Sequence, residues 1–66
     1  MPPRLRALGV TGRELQVLQL IDDGLNNAEI AARLQLSRRT VETHVSNLLA
    51  KTGASGRAAL RHWYTG

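Results

Sequence analysis

This chain has no cysteine, and in a sequence of 66 residues that absence is the strongest constraint on the fold. Without thiols the chain can form neither a disulfide nor a thiolate metal site. A domain of about 60 residues buries only roughly 60% of the surface that its unfolded chain exposes, so its core needs closely packed helices or a partner. His44 and His62 stand 18 positions apart, which is not a metal-ligand spacing. The sequence predicts one helical domain, supported by association, with no metal and no cofactor.

Hydropathy predicts no membrane span, because unbroken apolar runs are only two or three residues long. Residues 1–9 hold two arginines and two prolines and lack the apolar stretch of a signal peptide. We therefore expect a cytoplasmic protein. Proline and glycine in residues 1–9 favour a disordered arm or linker stub, followed by a domain at residues 10–66.

Two capping boxes mark the starts of the first two predicted helices. Thr11 is followed three residues later by Glu14, and Asn26 by Glu29, so that each pair can satisfy two backbone donors. Gly24 is expected to end the first helix in a left-handed conformation. The apolar residues at helical spacing are Leu15, Val17, Leu18, Leu20 and Ile21 in the first helix and Ile30, Ala31 and Leu34 in the second.

Ser37 is the predicted N-cap of a third helix that runs through about Thr52 and is closed by Gly53. Its buried face is formed by Val41, Val45, Leu48 and Leu49. Ser55 is the predicted N-cap of a short fourth helix that reaches roughly Tyr64. Between the second and third helices only Gln35 and Leu36 form the turn, where many such motifs carry glycine. The predicted class is all-α, a four-helix helix-turn-helix domain.

The positive charge is concentrated in the second half of the chain. Residues 1–32 hold three arginines and four acidic residues, a net charge of −1. Residues 33–66 hold six basic residues and one acidic residue, a net charge of +5. A localised basic surface attracts polyanions, although arginines on a small helical protein can also serve solubility alone. Whether this charge binds a polyanion or only serves solubility therefore depends on where the arginines lie in the fold.

The face of the third helix opposite its buried stripe carries side chains that can read DNA. Arginine pairs with guanine, glutamate accepts from cytosine N4 and threonine contacts the thymine methyl group. The predicted base contacts are Arg38, Arg39, Glu42, Thr43 and Ser46. The predicted contacts with the DNA backbone are Asn27, Ser37, Thr40, Asn47 and Lys51. Residues 37–52 would lie as a recognition helix in the major groove.

Residues Val10 to about Ala59 resemble the DNA-binding domain of LuxR-type (NarL/FixJ-type) bacterial transcription regulators. The resemblance lies in Val10-Thr11-Gly12-Arg13-Glu14, Gly24-Leu25-Asn26-Asn27, Glu29-Ile30-Ala31, Leu36-Ser37, Thr40-Val41, His44, Asn47-Leu48, Lys51 and Arg57. It implies four helices, binding to double-stranded DNA as a homodimer through the fourth helix, and a position C-terminal to a sensory or receiver domain. We expect the output domain of a response regulator from a two-component system; a small stand-alone regulator is the alternative.

Two positions depart from the family pattern. The residue after Thr40-Val41 is usually lysine in this family and here is Glu42, and the residue after Asn27 is often lysine and here is Ala28. Both changes remove positive charge from the expected interface, so we expect weaker binding and a cytosine-tolerant step opposite Glu42.

For several other residues the sequence allows two interpretations. Leu60, Trp63 and Tyr64 can either contact a second copy in a dimer or cover the core of their own domain. His62 is interpreted as a residue that covers the core. Glu14 is first a capping residue, with a salt bridge to Arg57 as a second structural role, and His44 is expected to be a partly buried structural residue. Arg4 and Arg6 would lie on the linker, with a minor-groove arm as the alternative.

An enzyme is not expected, because no nucleophile–base pair or phosphate-binding glycine loop is present. The competing function is a helical bundle of the same fold that contacts RNA polymerase or another regulator.

Overall fold

The computed structural model describes residues 1–61 and 63, and in this part of the chain the regular structure is entirely helical. The helices are α1 (Pro3–Ala7), α2 (Gly12–Asp22), α3 (Asn27–Leu34), α4 (Arg38–Thr52) and α5 (Arg57–Leu60). The predicted all-α helix-turn-helix class is confirmed, with five helices in these residues where the sequence predicted four. No helix among the described residues is long and apolar enough to cross a membrane.

The N-terminal residues, for which the sequence predicted a disordered arm or linker stub at residues 1–9, form a short helix that packs on the domain. Pro3 begins α1, a position where its fixed φ favours a helix and its missing N–H costs nothing. Leu5 on this helix is only 1% exposed and belongs to the core. Arg4 lies with its guanidinium carbon 4.5 Å from the centroid of the Trp63 ring and donates a hydrogen bond to the Trp63 carbonyl. Arg4 therefore packs against the domain instead of lying on a solvated linker.

Both predicted capping boxes are present. The Glu14 N–H donates to Thr11 Oγ1 at 3.1 Å, and the Thr11 N–H donates to Glu14 Oε1 at 3.0 Å. At the start of α3 the two reciprocal bonds between Asn26 and Glu29 are each 2.8 Å long. Gly24 ends the turn after α2 with φ of +90°, as predicted.

The start of α4 matches the prediction, whereas that of α5 does not. Ser37 Oγ accepts from the Thr40 N–H at 3.1 Å, and Gly53 closes α4 with φ of +70°. The N-cap of α5 is Gly56 instead of Ser55, and no side chain caps this helix, because glycine has none to offer. Within the described residues α5 ends at Leu60, and Tyr64, where its end was predicted, lies outside them.

The core lies where α4 packs against both α2 and α3, and α5 closes it beside α2 and α4. The buried apolar residues are Leu5, Val10, Val17, Leu18, Ile21, Ile30, Ala31, Val41, Val45, Leu48 and Leu60. Several leucines expected in the buried stripes are half-buried at its edge, namely Leu15, Leu20, Leu34 and Leu49.

Gln35 is a non-glycine residue in the left-handed region, with φ of 56° and ψ of 44°. This conformation costs a residue with a Cβ about 1–2 kcal/mol, whereas glycine adopts it freely. We therefore expect Gln35→Gly to raise the free energy of unfolding by about 1 kcal/mol, measured by thermal or urea denaturation. Gln35→Ala, which keeps the Cβ, serves as the control and should bring no gain. An equal effect of the two substitutions would contradict the strain at this position.

Candidate nucleic-acid interface

The helix-turn-helix is formed by α3 and α4, which a sharp turn joins. The turn is closed by the Leu36 N–H, which donates to the Ala31 carbonyl at 2.9 Å. Ala31 is only 6% exposed. Because its side chain is small, the two helices can approach each other closely at this residue. The first helix of the pair is thereby fixed against the second, which presents its free face to the surroundings.

That free face of α4 carries every residue predicted to contact bases. Val41, Val45 and Leu48 anchor the opposite face in the core. The residues Arg38, Arg39, Glu42, Thr43 and Ser46 are all exposed. Among them, Thr43 Oγ1 donates back to the Arg39 carbonyl at 3.1 Å, so its hydroxyl hydrogen is used within the helix.

The residues predicted to contact the DNA backbone fall into two groups. Ser37, Thr40 and Asn47 are exposed along α4, and the Ser37 and Thr40 hydroxyl oxygens lie 2.8 Å apart. Lys51 and Asn27, by contrast, are half-buried and hydrogen-bonded within the protein, and Asn47 also hydrogen-bonds the Glu14 carboxyl. The Lys51 ammonium donates to Glu14 Oε1 at 2.6 Å and to the Gly9 carbonyl at 2.8 Å.

Glu14 forms its ion pair with Lys51, so the predicted alternative of a salt bridge to Arg57 is wrong. The side chain of Glu14 is 4% exposed and that of Lys51 is 30% exposed. Burial by itself raises the pKa of the Glu14 carboxyl. Hydrogen bonds from Lys51 and from the Thr11 N–H, the charge of Lys51 and a hydrogen bond from Asn47 outweigh burial and hold that pKa below its usual value. Glu14 is therefore ionised at neutral pH and joins the start of α2 to the end of α4.

The lowered pKa of Glu14 predicts a loss of stability in acid. Because the folded-state pKa lies below the unfolded value of about 4.3, this carboxylate stabilises the fold fully above that value and loses its contribution as pH falls through the folded pKa. We expect the Tm of the wild type to fall more steeply below about pH 5 than that of Glu14→Gln, which has no such group to protonate. The other acidic groups are common to both proteins and cancel in the comparison. Parallel curves of Tm against pH would contradict this prediction.

Arg57 instead clamps the start of α3, a contact that the sequence did not reveal. Its Nη1 donates to Asn27 Oδ1 at 2.5 Å, and its Nη2 donates to the Leu25 carbonyl at 2.6 Å. These partners lie 30 and 32 residues away in sequence, beyond the reach of any local pattern. The sequence analysis considered Arg57 only as a residue of the family pattern and as an alternative ion-pair partner of Glu14.

The residues considered for a dimer contact have different positions. Leu60 is fully buried inside the protomer, so a contact with a partner cannot rest on this side chain as it stands. Trp63 is half-buried beneath Arg4, while Tyr64 and His62 lie outside the described residues. His44 is half-buried, as expected, and its Nδ1 is buried without a hydrogen-bond partner.

Comparisons with known proteins agree with this geometry. The family model of bacterial regulatory proteins of the luxR family matches residues 9–64. The chain is 60% identical over 42 residues to the uncharacterized response regulatory protein YgeK of Escherichia coli, an alignment covering 64% of this chain and 29% of the relative. It is 51% identical over 53 residues to the response regulator Rre1 of Synechocystis sp., covering 80% of this chain and 23% of the relative. No solved structure matches the chain significantly.

The aligned part thus spans less than a third of the length of these relatives. The family match extends over α2 to α5 and includes the whole helix-turn-helix. The chain belongs to the luxR family of bacterial regulatory proteins and is a helix-turn-helix DNA-binding domain of that family.

Proposed function

We propose that this domain is the DNA-binding output domain of a response regulator and that α4 reads sequence in the major groove. The observation that carries the proposal is the exposed row Arg38, Arg39, Glu42, Thr43 and Ser46 on a helix whose other face is anchored in the core. The B-DNA major groove is about 12 Å wide and admits one α-helix. The two curated relatives are both named as response regulatory proteins, which supports the regulatory role.

Contacts with the DNA backbone would orient α4 in the groove. Ser37 and Thr40 at the start of the helix are exposed, and hydroxyl groups and helix N-termini suit phosphate oxygens. Asn47 is exposed on α4 and directly follows Ser46. Lys51 uses two of its three ammonium hydrogens within the chain, so one remains for a phosphate.

Two copies would bind paired half-sites about one helical turn apart, roughly 34–36 Å between centres. In this proposal the contact between copies involves Trp63 and Tyr64, with Leu60 supporting the segment from the core. Dimer formation on DNA suits a domain this small, because the DNA aligns both copies before they touch.

The experiment that tests the proposal is selection of binding sites from random duplex DNA at two salt concentrations. We expect an inverted repeat to emerge, with an affinity that falls steeply as salt rises, at a slope of about −0.9 per neutralised phosphate. Absence of binding even at low salt would contradict DNA recognition. It would favour a helical bundle that contacts RNA polymerase or another regulator, since an apolar protein interface responds little to salt.

Glu42→Lys tests whether the acidic residue on α4 shapes the interface. Lysine removes a repelling carboxylate and adds a cation, so we expect affinity at low salt to rise about tenfold and the salt slope to steepen by about 0.9. The base preferred opposite position 42 should move away from cytosine, whose N4 donor suits glutamate.

Asp23→Lys is the matched control, because it makes the same reversal of charge on an exposed residue at the end of α2. It should leave the selected sequence unchanged. If Glu42→Lys moved neither affinity nor base preference, Glu42 would not face the groove.

A further inference from the structure

The clamp that Arg57 forms with Asn27 and Leu25 does more than hold α5 against the start of α3. Arg57 is the first residue of α5 and is half-buried. Its two hydrogen bonds end on the neutral oxygens of Asn27 and Leu25. Neutral acceptors satisfy the guanidinium without cancelling its charge. The clamp thus places a retained positive charge beside the start of α3.

The bond to Asn27 also fixes the orientation of that side chain's amide. A guanidinium only donates hydrogen bonds, so the amide oxygen has to face Arg57 and the amide NH₂ has to be directed away from it. Asn27 is the first residue of α3, where the N–H groups of Asn27 and Ala28 have no acceptor within the helix. The next N–H, that of Glu29, is already bonded to Asn26 Oδ1. The groups left at this end of α3 are therefore donors.

We propose that Arg57 is a positioning residue for recognition of the DNA backbone, because it locks Asn27 with the amide NH₂, not the oxygen, directed to a phosphate. A phosphate oxygen accepts hydrogen bonds and repels an amide oxygen, so an unrestrained amide would often present the wrong end. The charge of Arg57 and the dipole of α3 add attraction for the same phosphate. This inference rests on the proposed function and gives the predicted Asn27 contact its mechanism.

Asn27→Asp separates this role from a purely structural one. Aspartate keeps an acceptor for Arg57, turns the bond into an ion pair and suits the first turn of a helix. The Tm should therefore equal or exceed that of the wild type. Aspartate has no NH₂ to donate and repels phosphate, so the affinity for the selected duplex should fall about tenfold or more. A more stable protein that binds DNA more weakly is the expected signature.

Arg57 itself is tested by replacing single phosphates of the selected duplex with neutral methylphosphonates. Wild-type affinity should depend on a defined set of phosphates. Asn27→Ala and Arg57→Lys should both lose the dependence on the same one phosphate and keep it at the others, because lysine keeps the charge but cannot form both bonds. Arg61→Gln, which removes one exposed charge at the end of α5, is the control and should keep the full pattern.

The outcomes are distinguishable. If Arg57→Lys weakened binding evenly at all phosphates, or if Asn27→Asp bound as tightly as the wild type, the positioning role would be overturned while sequence selection by α4 stood. If Arg57→Lys failed to fold, Asn27→Asp would still decide, since its fold is expected to be at least as stable. If the wild-type chain bound no duplex, the proposed function and this inference would fail together.

Discussion

Replacing Glu14 with alanine is expected to lower the free energy of unfolding by about 2–4 kcal/mol. The substitution removes the acceptor for the Thr11 N–H at the start of α2 and the partner of the Lys51 ammonium at the end of α4. A core of this size rarely supplies more than roughly 3–5 kcal/mol, so much of the variant should be unfolded near room temperature. Urea denaturation followed by far-ultraviolet circular dichroism measures the change.

Glu29→Ala is the matched control for this substitution. Glu29 holds the same capping-box position on α3, with bonds of 2.8 Å to and from Asn26, but it is exposed. Loss of this cap should cost about 1 kcal/mol, so the difference between the two variants reports the burial of Glu14 and its ion pair with Lys51. Equal losses would mean that the ion pair contributes nothing to stability.

The sequence could predict the features that depend on neighbours along the chain. The starts of α2 and α3 follow from Thr11 with Glu14 and Asn26 with Glu29, because a capping box acts over three residues. The exposed face of α4 follows equally from the period of its buried residues, which one helix fixes by itself. Fold class and the candidate reading surface were therefore within reach of local reasoning.

Features that depend on how the helices cross could not be predicted in this way. Glu14 and Lys51 are separated by 37 residues, and the sequence suggested Arg57, not Lys51, as the cation for this carboxylate. Only the packing of α2 on α4 decides between them. The N-terminal prolines were ambiguous for a related reason. Proline marks a loop or the first turn of a helix, and the burial of Leu5 against the rest of the core selects the helix.

The largest expected effect on DNA binding comes from Arg38→Ala on α4. Arg38 is the first residue of the helix and is exposed, so its guanidinium is free to pair with guanine O6 and N7. Loss of one such bidentate contact costs about 1–3 kcal/mol, and an inverted repeat loses it twice, which amounts to about 2–6 kcal/mol for the complex with two bound copies. Binding measured on the selected duplex and on single-base variants should show this loss together with relaxed preference at one position in each half-site.

Arg13→Ala distinguishes loss of a base contact from loss of charge. Arg13 lies on α2, where its Nη1 donates to Gln16 Oε1 at 3.1 Å, and its removal changes the net charge by the same amount as Arg38→Ala. It should weaken binding only slightly, in a way that salt suppresses, and leave base preference unchanged. If Arg38→Ala behaved like Arg13→Ala, the guanidinium of Arg38 would act on the DNA only as a distant charge. Sequence reading would then have to rest on the middle of α4. There Thr43→Ala should relax a preference for thymine, because a threonine methyl group can contact the thymine methyl group.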